Sequence, residues 1–141
     1  MNTLMERLDS GDFAPYGATL LRVSLGLMWL AHGLFKLMVF GMDGLAGWLP
    51  TIGFPAWTAA PLIGAEILAG ALILLGIHGR IVSLAMIPVM IGAASVHAGN
   101  GWVFSAAGGG WEYPVFLVVA SLAHFAVGDG AYALRPRLAR G

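Results

Sequence analysis

The sequence predicts an all-α membrane protein: a bundle of four transmembrane helices with both termini on the cytoplasmic side. Three observations carry the prediction. Of 141 residues, 59% are hydrophobic and only 10% charged, with a mean hydropathy of +0.85; an average soluble domain has about 25% charged residues. Four apolar stretches are each long enough to cross a bilayer core, which takes about 20 helical residues. The basic residues also gather at one side of a four-span arrangement, which sets orientation.

The first sixteen residues place Met1, Leu4, Met5 and Leu8 at helical spacing, with Glu6, Arg7 and Asp9 on other faces. A short surface-lying helix and a disordered lead-in both fit this pattern. No cleavable signal peptide is expected, because the start is not basic and the first apolar run is too long. The spans are placed at about 17–40, 58–77, 79–98 and 113–134, within a single domain over 1–141. A very short turn around Gly76 to Arg80 forces the second and third spans into an antiparallel hairpin. The first outer loop, with Leu45, Trp48, Leu49, Pro50, Gly53, Phe54 and Pro55, is too apolar for water and should lie on or dip into the membrane surface. The second outer loop carries Gly108, Gly109 and Gly110, read as a flexible cap, since neither a preceding strand nor a following Lys-Ser/Thr makes it a phosphate cradle.

Arg7, Arg22, Arg80, Arg135, Arg137 and Arg140 fall at the side of the termini, and Lys36 alone lies toward the other. Trp48, Trp57, Trp102 and Trp111 lie in the two longer loops, as aromatic interface anchors do. Small residues recur in the spans (Gly64, Ala69 and Gly70; Ala85, Gly92 and Ala93; Ala120 and Ala123), and close helix association in lipid relies on such surfaces. A formal net charge of zero gives no support for nucleic-acid binding. The absence of cysteine excludes disulfides, thiolate metal sites and thiol nucleophiles within the chain; no metal site is expected.

Ionisable residues inside the spans carry the functional signal. A carboxylate at bilayer depth costs about 2.5–3.5 kcal/mol even on mild scales, so Glu66 should face protein or water. Arg22, Trp29, His32 and Lys36 fall near one stripe of the first span, with Gly26 and Gly33 alongside. His32 and Lys36, four apart, are neighbours on a helix. At 1.5 Å per residue, His32 lies roughly 10 Å and Glu66 roughly 12 Å from the outer boundary, with His124 roughly 16 Å deep. Glu66, His32 and Lys36 are therefore expected to meet in the outer half of the bundle, with His97 and Glu112 near its mouth. Arg22, Arg80 and Asp129 are level at the cytoplasmic end and should form an ion-pair network. Plainer readings stand beside these: Glu66 with Lys36 or His32 also suits a structural ion pair, and His124 a hydrogen-bonded core histidine.

Taken in order, these residues resemble a known family. Leu21 and Arg22, His32 and Gly33 with Lys36, Gly53-Phe54-Pro55, Glu66 within Ala65 to Gly70, Gly79-Arg80, His97, Glu112-Tyr113-Pro114 and Gly128-Asp129-Gly130 together look like the DoxX family of small bacterial four-helix membrane proteins. The resemblance covers about 20–134. It implies a four-helix fold in the bacterial inner membrane, and a link to quinone stress, thiol homeostasis and membrane redox complexes.

The leading expectation is a multi-pass inner-membrane component of a quinone-linked redox system. His32, Lys36 and Glu66 would supply donors and an acceptor to the headgroup, and Trp29 would line the slot. His97 and Glu112 would relay protons, since histidine titrates near neutral pH. An alternative is a non-catalytic anchor for a soluble redox enzyme, contacting it through the loop around Trp48 and the basic tail. A third reading is a b-type haem bundle with His32 and His124 as axial ligands. Expected partners are the lipid bilayer, a soluble or membrane redox protein, and further copies of the chain.

Overall fold

The computed structural model describes residues 5–6 and 13–134. Of the first twelve residues only Met5 and Glu6 are described, so the lead-in read as either a surface helix or a disordered stretch lies largely outside the described residues, as do the tail arginines. Every regular element among the described residues is helical. Helix α1 spans Ala14–Phe35, α2 Gly41–Trp48, α3 Ala59–Leu75, α4 Gly79–Ala85, α5 Ile87–His97 and α6 Glu112–Val127. Three helical stretches, Ala14–Ile52, Ala56–Leu75 and Gly79–Asn100, are long and apolar enough to cross a membrane, and α6 is a shorter apolar helix.

Helix α1 starts at a proline, Pro15, whose missing N–H costs nothing in a first turn. It does not end at Phe35 but loosens into a π-helical turn over Lys36–Phe40, where the Gly41 N–H reaches back to the Lys36 carbonyl. Such turns shift the helical register. Gly41, at φ 71°, then turns the chain into α2. The loop expected at the membrane surface is therefore largely helical. Leu45 of α2 and Leu49 beyond it bury themselves against Ala59 and Ile63 of α3, forming a small second core.

Helices α3 and α4 form the predicted hairpin. Gly76, at φ 73°, ends α3 with Gly76 N–H on the Ile73 carbonyl and Ile77 N–H on the Leu72 carbonyl, a Schellman turn that satisfies carbonyls left open by the helix end. The third span breaks at Met86 into α4 and α5, because Pro88 has no N–H to give to the preceding turn. The fourth ends at Val127 rather than Leu134: Gly128 and Gly130 both take positive φ, and the chain folds back across the bundle end. There Ala131 N–H bonds the Pro15 carbonyl and Leu134 N–H bonds that of Leu75.

The closest packing is between α1 and α3. A Cβ on Gly26 would stand 2.6 Å from the Leu74 nitrogen, and one on Gly70 would stand 2.6 Å from that of Leu30. Only glycine permits such backbone proximity. The main core gathers Leu25, Trp29, Ala69, Ile73, Met86 and Leu117, from α1, α3, the α4–α5 junction and α6. Leu20, Leu27, Leu68, Ile81, Ile91 and Phe116 point outward and are exposed, the inverse of a soluble bundle and suited to lipid.

Candidate functional site

Glu66 lies on the α1-facing side of α3 and is 2% exposed. Lys36, the first residue of the π-turn, donates from Nζ to both carboxylate oxygens, at 2.7 and 2.8 Å. A Cβ on Gly33 would sit 3.1 Å from the Glu66 Cβ, so the glycine is what lets α3 press the carboxylate against α1. Two full charges in a forked contact satisfy each other without water. Glu66 and Lys36 close onto one another.

His32 does not join them. It precedes Gly33, and consecutive helical residues point about 100° apart, so it leaves the α1–α3 seam and turns toward α6. Its ring stacks on Tyr113, with centroids 6.3 Å apart and planes 25° from parallel. Nδ1 donates to the Met28 carbonyl at 2.8 Å. The expected three-residue cluster is thus divided into a closed ion pair and an open histidine–tyrosine stack.

Beside that stack, an open groove of about 750 Å³ runs along α6, lined by Trp102, Phe104, Glu112, Tyr113, Phe116 and Val119. Its walls are almost wholly apolar, and its polar groups sit at the loop end. Glu112 Oε1 accepts the Phe104 N–H at 2.8 Å, which holds the loop over the groove. The loop is fastened further by an edge-to-face contact of Trp102 on Trp111, centroids 4.5 Å apart. His97 Nδ1 donates to the Gly108 carbonyl at 3.0 Å, and Asn100 donates to those of Gly108 and Gly109. The glycine triplet is therefore tied to α5. His97 and Glu112 organise this loop, and neither contacts Glu66. A second groove, of about 650 Å³, lies at the opposite end between Pro15, Ala18, Val127 and Ala131. Glu66 and Lys36 line neither.

At that opposite end, Arg22 is 3% exposed. Its Nε donates to the Asp129 carbonyl at 2.8 Å, and its Nη1 to the carbonyls of Ile73 and Leu74 at the end of α3. Nη2 lies 3.4 Å from the Ala131 carbonyl. A buried cation is thus neutralised by the carbonyl end of a helix and a turn. The Asp129 carboxylate instead accepts the Arg80 N–H at 2.7 Å and stands 3.1 Å from His124 Nε2. The Arg80 guanidinium lies 5.1 Å above the Phe125 ring. The three residues expected as an ion-pair network do meet, but through backbone groups; the side-chain partner of Asp129 is His124.

Trp29 is wholly buried in the main core, away from both grooves. His124 is equally buried, with Nδ1 2.7 Å from Ser83 Oγ. Tyr113, which carries the His32 stack, lies eleven residues before His124 on α6, about 16 Å along the axis. The two histidines therefore do not bracket a common plane, and the residues do not fit a bis-histidine haem. Among the described residues no group of three or more acidic or imidazole side chains could hold a metal ion.

Ser83 is a partner that the sequence did not single out, and Tyr113 entered only within the Glu112-Tyr113-Pro114 run of the resemblance, with no role as a histidine's partner. Tyr113 directly follows Glu112, and Ser83 stands three residues after Arg80, on the same helical face. Those adjacencies are the only signals for these contacts.

The DoxX family model matches residues 17–99, more than half of the chain. A Bacillus subtilis (strain 168) protein named "Putative oxidoreductase CatD" is 35% identical over 77 residues, which cover 55% of this chain and 56% of that protein. The chain thus matches little over half the length of that relative. No solved structure matches it. With this family match laid over helices α1 to α5, the chain belongs to the DoxX family.

Proposed function

We propose that the chain is a multi-pass component of the bacterial inner membrane that binds a quinone, or a similar small amphiphile, as part of a quinone-linked redox system. Four spans would place both termini in the cytoplasm, with the Arg22 end inward and the Lys36 end outward, in line with the basic-residue bias. The family match and the relative named as an oxidoreductase support the redox context. One observation carries the ligand class: the groove along α6 is apolar over most of its length and has a carboxylate and a phenol at one end.

That arrangement fits a flat headgroup on an apolar tail. Trp102, Phe104 and Phe116 offer ring faces, the Tyr113 hydroxyl offers a donor to a carbonyl oxygen, and Val119 continues the apolar wall along α6. A quinone, when bound, supplies two-electron, two-proton chemistry. The chain supplies orientation, by the fastened loop, and proton-bearing groups at the groove mouth. Tyr113 positions the His32 ring behind it, and Glu112 holds the loop through Phe104. Glu112, expected at the mouth of the cluster, lines this groove, and His32 reaches it only through its stack on Tyr113. Lys36 and Glu66 support it as the closed pair one turn further along α1.

Native mass spectrometry of protein released from its own membrane in mild detergent tests this reading. A bound quinone in the wild type, lost in Val119→Phe but kept in Glu66→Gln, is expected. A stoichiometric protein subunit with no small ligand would instead favour a membrane anchor for a soluble enzyme.

A further inference from the structure

Two buried polar atoms in the bundle interior, Trp29 Nε1 and Ser121 Oγ, have no hydrogen-bonding partner among the described residues, and His124 Nε2, one turn from Ser121, has only the Asp129 carboxylate. That last contact, from His124 Nε2 to Asp129 Oδ1, is 3.1 Å long. All three residues are at most 1% exposed. Isolated orphans of this kind are rare in native structures, because each forfeits its hydration on burial.

Their positions form a sequence. Asp129 sits at the bundle end, 7% exposed, against the Arg80 N–H at the start of α4. One turn into α4, Ser83 meets His124 at 2.7 Å. One turn further along α6, Ser121 stands on the same face as His124. Trp29 is seven residues beyond Arg22 on α1, about 10 Å from the level where Arg22 meets Asp129. Its indole is packed in the core that includes Leu117 and Ala120, the latter adjacent to Ser121. The polar side chains therefore run inward from the Arg22 end, from Asp129 through His124 and Ser83 to Ser121 and Trp29.

We propose that this column is an internal hydration site, in which bound water links His124, Ser121 and Trp29 and carries hydrogen-bonded continuity from Asp129 to the middle of the bundle. The donor set specifies the ligand. An indole N–H can only donate, so its partner must present an oxygen acceptor; a serine hydroxyl and an imidazole nitrogen accept or donate. Water meets all three demands and needs two to four polar partners to be held. Among the described residues, charged neighbours face the column only at its mouth: Arg22 from α1, Arg80 from α4 and Asp129 after α6. The site is independent of the groove along α6, and neither groove is lined by any of its residues.

Hydrogen exchange into D2O, followed by NMR on the whole protein in lipid bilayers, tests it. The Trp29 indole signal is identified by its loss in Trp29→Phe. In the wild type, the indole proton should exchange at least roughly a hundredfold faster than the Ala120 backbone amide beside it, since local water needs no opening of the helix. Ser121→Val, which removes the hydroxyl and fills its place, should slow the indole about tenfold or more while the amide stays as it was. An indole as protected as the amide overturns the proposal without any variant. So does exchange of both together, which would report unfolding, or an indole rate unmoved by Ser121→Val.

Discussion

Removing the Lys36 ammonium leaves a carboxylate that is 2% exposed with no other cation against it among the described residues. Breaking a buried pair from one side costs about 3–5 kcal/mol, because the remaining charge is stranded. Lys36→Met should therefore lower the unfolding midpoint in detergent more than Glu66→Gln, since Lys36, at 23% exposed, retains some access to solvent. The double variant Lys36→Met/Glu66→Leu should recover much of the loss. A double variant as unstable as Lys36→Met would show that the pair does more than neutralise itself. The need for a partner to Glu66 was legible in the sequence, because an intramembrane carboxylate demands one. Which partner it takes was not. That choice depends on Gly33 drawing α3 to one side of α1 and turning His32 to the other. Likewise nothing in an apolar stretch marks Ser83 or Tyr113 as the residue that a histidine will meet.

Between elements, the glycines of the α1–α3 seam differ sharply from other helical glycines such as Gly64 and Gly92. A Cβ on Gly26 or Gly70 would enter the opposing backbone, whereas one on Gly64 or Gly92 would meet nothing within 4 Å. Gly70→Ala should cost about 1–3 kcal/mol through forced separation of the helices. Gly64→Ala and Gly92→Ala should stay within about 0.5 kcal/mol of the parent. Thermal unfolding of the three variants side by side decides this, and equal effects would sink the claim that the seam is glycine-limited. Composition alone predicted small-residue contacts but not which residues make them, because Gly64 and Gly70 look alike in an apolar run. The same limit explains the fourth span. Residues up to Leu134 are apolar enough to extend it, and the helix stops earlier because Gly128 and Gly130 take positive φ. The short α3–α4 turn, by contrast, was readable from Gly76 to Arg80 alone.

At the scale of the molecule, the number of crossings rests on α6. Its 16 residues reach about 24 Å, somewhat less than a typical hydrocarbon core of about 30 Å. Local thinning or flanking aromatic residues can absorb that difference. Since the chain has no native cysteine, single cysteines report sidedness without background. Ser105→Cys and Leu134→Cys, at opposite ends of α6, should label from opposite faces of the membrane, Ser105 from outside in intact cells. Labelling of both from one face would remove α6 from the spans and reverse the account of where the groove lies. The order of four apolar stretches was visible in hydropathy; the groove was not, because it arises from the 101–111 loop folding over α6.

On the proposed reading the α6 groove, and not the Lys36–Glu66 pair, receives a quinone. Titration of a short-chain quinone into the protein in lipid nanodiscs, followed by quenching of tryptophan fluorescence, tests it most directly, because Trp102 lines the groove. Saturable quenching should weaken about tenfold or more in Val119→Phe, equivalent to at least about 1.4 kcal/mol of binding, and remain near wild type in folded Glu66→Gln. Binding that ignores Val119→Phe, or is abolished by Glu66→Gln alone, would contradict the account and return the site to the buried ion pair.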